Sequence, residues 1–330
     1  MNRAVIFNKN YYDPFIDFIK AYAIICVLIG HTLPVTNIGY GLWAGMQVPL
    51  FILVQTFHFY KKENSKLNIK KLFQRIILPF MAVGIVEIGL IETATGGGQN
   101  LLNDVVTNGG GYGPGSYFPL IYIQIALLLP CFRWFFRRLS KKQLICVFFI
   151  LAEGLEVVCS VVHPSEWFYR LLFIRYVCLI YLGWIWTQEG IKLSGKMIVL
   201  SVLSALAILY FEYAHSNSHI NNEPWFYNTA WSFHRWPCYY YCANGLVFLL
   251  YVMWQWLKNS RLIENSVKVL AKSSYEIFLV QMCVCFFIGF WKIPVIAKIV
   301  TIWIFSIAGG VVLNRIVNLL FIKQKICIRK

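Results

Sequence analysis

Apolar runs of about 20 residues recur along the whole 330-residue chain, separated by short polar stretches that hold most of its charge. A run of that length crosses a ~30 Å hydrocarbon core as a helix. A helix also satisfies its own backbone hydrogen bonds where water is absent. The pattern predicts ten transmembrane helices, near 14–34, 38–60, 72–92, 116–132, 142–162, 166–187, 197–213, 236–257, 273–290 and 299–321. The fourth run is short, so its helix is expected to start earlier or to tilt. Residues 258–272 read as a polar connector or an interfacial helix. No linker, internal repeat or low-complexity tract divides the chain, which predicts one all-α transmembrane bundle over 1–330.

Composition agrees with the pattern. Hydrophobic residues make up 59% of the chain and charged ones 13%, about half the charged share of a soluble domain. A soluble core of this size has no room for so many apolar side chains, so the surplus is expected to face lipid. The net charge of +16 would suggest nucleic acid in a soluble protein. Here the basic residues lie between the apolar runs, so they report topology and no nucleic-acid partner is expected. With the N-terminus placed in the cytoplasm, the cytoplasmic segments hold 23 Lys and Arg. The outer segments hold Arg170, Arg235, Lys292 and Lys298, while Lys20, Arg175 and Arg315 lie inside helices. This asymmetry predicts that both termini are cytoplasmic, since one missed or added helix would reverse it downstream.

The 10 cysteines sit mostly in apolar runs, with neither metal-ligand spacing nor a disulfide framework, and are expected to pack as small apolar residues. No metal is expected. The first apolar run lacks a following small-residue cleavage site, so it is expected to remain as a helix. Two outer loops are candidate covers for a site. One is the glycine-rich 93–115. The other, 214–235, carries His215, His219, Glu223, His234 and Arg235 among aromatics.

Ionisable groups inside a bilayer are functional candidates by default. Helix 14–34 has Asp17, Lys20 and His31. Asp17 and Lys20 are three residues apart and can pair on one face. Lys20 and His31 are eleven apart, close to three turns, so they share a face roughly 16 Å long. That face offers a cation near the cytoplasm and an imidazole near the outer side. Glu87, Glu92, Glu153, Glu156, Arg170 and Arg175 fall in the outer half of other helices and suggest a polar cavity opening outward. Lys70, Lys71 and Arg75 precede the third helix and suit an anionic ligand such as a nucleotide phosphate.

The run FIDFIKAYAIICVLIGH (15–31) resembles the opening of the acyltransferase-3 superfamily of integral membrane acyltransferases: an Asp, a basic residue three later, ten residues, then His. Lys20 stands where that family usually has Arg. VPLFILVQTFHFY (48–60) resembles the second helix of the family, with Gln55 and Thr56 about where Ser-Gly is usual. FQRIILPF (73–80) is similar to its R-x-x-x-P segment through Arg75 and Pro79. SYFPLIYIQ (116–124), IYLGWIW (180–186) and SSYEIFLVQM (273–282) follow in family order, with Gln281 in place of a His.

The resemblance implies ten helices, an N-terminus inside, and a multi-pass protein of a bacterial cytoplasmic (inner) membrane. It also implies transfer of an acyl group, commonly acetyl, from acetyl-CoA to a hydroxyl of a carbohydrate or other cell-envelope acceptor. The acyl-CoA is then a donor substrate, and no cofactor is permanently bound. On that scheme Asp17, Lys20, Lys71 and Arg75 hold the donor. His31 is general base or transient acyl carrier, with Glu153 or Glu156 orienting it. Arg175, Tyr275 and Gln281 bind the acceptor, and Tyr275 or Arg175 stabilises the oxyanion. Buried charges in a helical bundle also fit a transporter or flippase for an anionic or sugar-linked solute, although no inverted repeat is evident. A glycosyltransferase with a lipid-linked donor would need an outer acidic motif, for which Asp104 and Glu223 are weak candidates.

Overall fold

The computed structural model describes residues 3–5, 13–33, 39–61, 67–95, 115–162, 171–216, 239–289 and 291–327. The chain is an all-α helical membrane protein apart from one small ribbon. β1 (Arg3–Val5) pairs antiparallel with β2 (Ile191–Leu193). The helices are α1 (Pro14–Thr32), α2 (Tyr40–Trp43), α3 (Gln47–Tyr60), α4 (Ile69–Leu72), α5 (Leu78–Thr95), α6 (Phe118–Arg138), α7 (Lys141–Val162), α8 (Val177–Glu189), α9 (Gly195–Ser216), α10 (Val247–Leu257), α11 (Arg261–Lys272), α12 (Ser274–Gly289) and α13 (Val295–Cys327).

Each of the ten expected stretches holds helix. By length and apolarity together, five helical segments among the described residues can cross a bilayer, or six if α11 and α12, bent by 69°, form one span. The fourth helix differs from expectation: α6 starts at Phe118 and gains its length at the other end, running through Arg133 and Arg137 to Arg138. Arginine is a good helix former, so the helix continues after its apolar face ends. The guanidinium carbons of Arg133 and Arg138 then lie 4.8 Å and 4.4 Å from the ring centres of Phe59 and Trp134. The connector 258–272 is largely the amphipathic helix α11, which packs along α1.

α1 is the centre of the bundle. Asp13 caps it, its carboxylate accepting from Phe15 N–H at 3.0 Å. α3, α10, α11 and α12 pack around it. α7, α9 and α13 lie outside and expose large apolar side chains, such as Val161, Val199 and Leu319. Such a surface suits hydrocarbon rather than water. Close helix contacts use glycine, as expected where helix association depends on packing. A methyl on Gly183 of α8 would stand 2.8 Å from Thr56 Cβ of α3. A methyl on Gly310 of α13 would collide with the backbone of Ile277 in α12.

Two stretches widen to π turns, Phe73–Ile77 before α5 and Tyr241–Leu246 before α10. The first has a local cause. Pro79 has no N–H, and its ring crowds the carbonyl four residues back. The wider turn relieves the crowding, with Leu78 N–H reaching back to Phe73 C=O. An aromatic donor from another helix then binds a carbonyl of each π turn. Tyr275 O–H donates to Ile76 C=O at 3.0 Å, and Trp186 Nε1–H donates to Ala243 C=O at 3.1 Å.

Candidate functional site

One face of α1 organises the site. Lys20, Ile24, Val27 and His31 follow a 4-3-4 spacing and share that face. Ile24 and Val27 are buried in an apolar cluster with Val83 of α5, Phe118 of α6, and Ile277, Phe278 and Met282 of α12. Lys20 and His31 therefore stand at opposite ends of one packed seam, roughly 16 Å apart by helix rise.

At the first end the charges are matched. Lys20 Nζ lies 2.7 Å from Asp17 Oδ1, and Asp17 is buried. The charges of Lys20, Lys61, Asp17 and Lys71 all act on the imidazole of His58, at the end of α3. The charges of three of the four expected donor-binding residues thus reach one histidine, a residue that the sequence pattern does not single out because it ends an otherwise apolar run. Arg75, the fourth, is exposed at the first π turn. Its Nη2 donates to Asn318 Oδ1 of α13 at 3.3 Å, and its charge acts on buried Glu276 of α12. Asn314 joins this group, its Nδ2 donating to Lys272 C=O at 3.0 Å.

At the other end sits His31, in the last turn of α1. That turn is tied to α13, where Trp303 Nε1–H donates to Thr32 Oγ1 at 3.1 Å. The backbone at Gly115 forms a wall beside the imidazole. Gly115 has φ +85°, and a methyl there would meet Phe278 Cζ at 3.0 Å and His31 Cε1 at 3.5 Å. Glycine is needed for both the conformation and the close approach. The fully buried Gln281 of α12 acts on the imidazole. Its Nε2 donates to Cys285 Sγ, one turn on, at 3.2 Å. His31 Nδ1 and Gln281 Oε1 are nevertheless both buried without a partner at hydrogen-bonding geometry. Two further side-chain oxygens in this condition, on Gln55 and Thr56, lie on α3 where the family usually has Ser-Gly. Gln55 Nε2 is held by Tyr122 C=O at 2.9 Å.

The other expected site residues fall elsewhere. The Tyr275 hydroxyl is engaged by Ile76, six residues along α12 from Gln281, or roughly 9 Å of helix rise. Arg175 stands in the turn before α8, with its guanidinium 5.4 Å from the Tyr176 ring centre. Tyr176 belongs to the larger core under α3, α6 and α8, not to the cluster along the His31 face. The side chains of Glu153 and Glu156 lie outside the described residues, as do those of Glu92 and Arg170. The helix of the two glutamates, α7, packs on α8 and the turn before it. Residues 96–114 and 217–238, including Asp104 and Glu223, also lie outside. A buried carboxylate is present at Glu87 of α5, next to Cys283 of α12.

The central helix, its seam and the polar residues at either end fall within the span of a known family. A family model described as an acyltransferase domain matches residues 13–315. The chain belongs to this acyltransferase-3 family of integral membrane proteins. No curated protein and no solved structure matches it significantly.

Proposed function

We propose that the protein moves an acyl group, most simply acetyl, from a cytoplasmic acyl-CoA to a hydroxyl of an outer carbohydrate or other cell-envelope acceptor. His31 activates that hydroxyl as general base. The single observation carrying this proposal is the half-buried His31 imidazole, its Nδ1 buried and unpartnered, at one end of a seam whose other end carries Lys20, with the charges of Lys61 and Lys71 reaching the same histidine, His58, as that of Lys20. Buried polar atoms are nearly always hydrogen-bonded, so the open Nδ1 leaves the ring able to be oriented from one side, and the glycine wall leaves room for a ligand beside it. The basic end suits the phosphates of coenzyme A. An imidazole titrates near neutral pH in its ordinary state, as a general base for a hydroxyl requires.

A ten-span topology with cytoplasmic termini fits this scheme. The pairing of Arg3–Val5 with Ile191–Leu193 supports it, because it joins two segments that the basic residues assign to the same side. The pairing of Lys141 with Glu189 likewise joins α7 and α8 at that end.

The test is thioester turnover by the purified protein in detergent, with acetyl-CoA as donor and a His31→Ala control. Wild type is expected to bind and cleave acetyl-CoA. The variant is expected to bind it with unchanged affinity and lose at least about 100-fold in turnover. A His31→Ala protein with full turnover refutes the proposal.

A further inference from the structure

The His31 end holds a feature that the proposed chemistry does not yet use. Gln281 is fully buried, so its side chain cannot turn to solvent. One amide hydrogen is given to Cys285 Sγ at 3.2 Å. In this orientation the sulfur accepts from the NH2 side and Oε1 is left as the open acceptor. The open acceptor and the open ring nitrogen meet at one place: a methyl on Gly115 would touch both His31 Cε1 and Phe278, and Gln281 lies three residues on from Phe278 in α12. Each has what the other lacks. The backbone around them is held on three sides. Gly310 seats α12 against α13, Trp303 ties the end of α1 to α13, and Gly115 closes the approach over Cε1.

We propose that Gln281 is the positioning residue for His31: its Oε1 accepts Nδ1–H of the imidazole as the substrates close the site, which fixes the tautomer with Nε2 unprotonated and facing the acceptor hydroxyl. This rests on His31 being the base. In the step so defined, Nε2 takes the hydroxyl proton as the oxygen attacks the thioester carbonyl. The C–S bond then breaks, and the departing thiolate takes the proton back from Nε2. A carboxamide cannot ionise, so Gln281 orients the ring without setting a negative charge beside it. A carboxylate at the same place would hold the same N–H and add that charge. Gln281 and Glu are nearly isosteric, so the two roles can be separated.

The experiment follows acetyl-CoA cleavage by thiol release, with water as acceptor, in the full chain purified in detergent. Wild type, His31→Ala, Gln281→Leu and Gln281→Glu are compared across pH 5–9. Gln281→Leu is expected to lose about 10–100-fold in kcat with KM for acetyl-CoA within about twofold. Gln281→Glu is expected to keep kcat within about tenfold at high pH, while the acid limb of kcat/KM moves up by about one pH unit. Should Gln281→Glu not yield folded protein, Gln281→His replaces it and is expected to regain at least about tenfold of the loss seen in Gln281→Leu, since a ring nitrogen can also accept the N–H. Wild-type kcat in Gln281→Leu, an active Gln281→Glu with an unmoved acid limb, or no rescue by Gln281→His overturns the positioning role. Absence of turnover in wild type, or full turnover in His31→Ala, overturns instead the acyl transfer on which it rests.

Discussion

The two ends of the Lys20–His31 face are built from similar materials and left in opposite states. At the Lys20 end, the ammonium is 2.7 Å from Asp17, and the charges of Lys61 and Lys71 also reach His58. At the His31 end, Nδ1 of the imidazole and Oε1 of the Gln281 carboxamide are both buried and unpartnered. A matched charge pair in a membrane helix is stable without a ligand. Two unmatched polar atoms in a packed interior are not, and unmatched groups persist where something else completes them. The difference separates holding from reacting. The Lys20 end is organised to stay as it is and present positive charge, while the His31 end is organised to change.

The largest effect that can break this comparison comes from exchanging the roles. His31→Ala should cost at least about 100-fold in turnover and leave donor affinity alone. Lys20→Met should do the reverse, raising KM for acetyl-CoA about 5–10-fold with kcat within about threefold, as expected when one charge leaves a phosphate site. Steady-state kinetics on both variants checks the split. If both variants lose kcat alone, the two ends are not a donor end and a reacting end.

Next in size is Gly115→Ala. The φ of +85° costs a non-glycine residue about 1–2 kcal/mol, and the added methyl presses Phe278 at 3.0 Å and the imidazole at 3.5 Å. About 10-fold lower kcat with unchanged donor binding is expected, read by the same assay and by isothermal titration with coenzyme A. Equal losses in binding and kcat would mean that the substitution spreads through α12 rather than acting at His31.

How far this was legible in the chain depends on the range of the cause. The shared face of Asp17, Lys20 and His31 was legible, because helix periodicity is set by neighbours within four residues. The extent of α6 was misjudged because apolarity marks where a helix leaves lipid, not where it ends. The surroundings of His58 and Glu276 are hidden because most of the charges acting on them come from other segments, Arg75 lying some 200 residues from Glu276. The π turn is half legible: Pro79 announces a fault in the helix, but not that it is relieved by widening and covered by Tyr275. The i, i+3 spacing of Glu153 and Glu156 fixes a shared face but says nothing of what that face meets. Gln281 drew notice as a departure from the family pattern, yet only the fold brings it to His31.

The Asp17–Lys20 pair gives a smaller and cleaner effect. Lys20→Met leaves a carboxylate buried without its cation, and Asp17→Asn leaves the ammonium, which at 22% side-chain exposure keeps some water. The first should lower unfolding stability by about 1–3 kcal/mol and the second by less. The double variant should recover most of the difference, because two neutral groups replace two charges. Thermal unfolding in detergent gives the three values. Additive losses would show that the two charges do not support each other, and the matched state of this end would then need another explanation.

The smallest effect sharpens the comparison most, because it concerns a residue lying between the two ends. Tyr275 has the hydroxyl expected of an oxyanion donor, and its loss in that role would cost about 100–1000-fold in kcat. Its O–H instead donates to Ile76 C=O at 3.0 Å, covering a carbonyl of the π turn next to Arg75. Helix rise also separates it from Gln281 by roughly 9 Å. Removing that hydroxyl leaves one carbonyl short of one bond, at about 1 kcal/mol and about 2 °C in Tm. Tyr275→Phe should therefore keep kcat within about twofold and melt slightly earlier. A hundredfold loss of kcat at unchanged Tm would move the reacting centre from the His31 end toward the middle of the seam. The paired and unpaired ends would then no longer mark donor binding and chemistry.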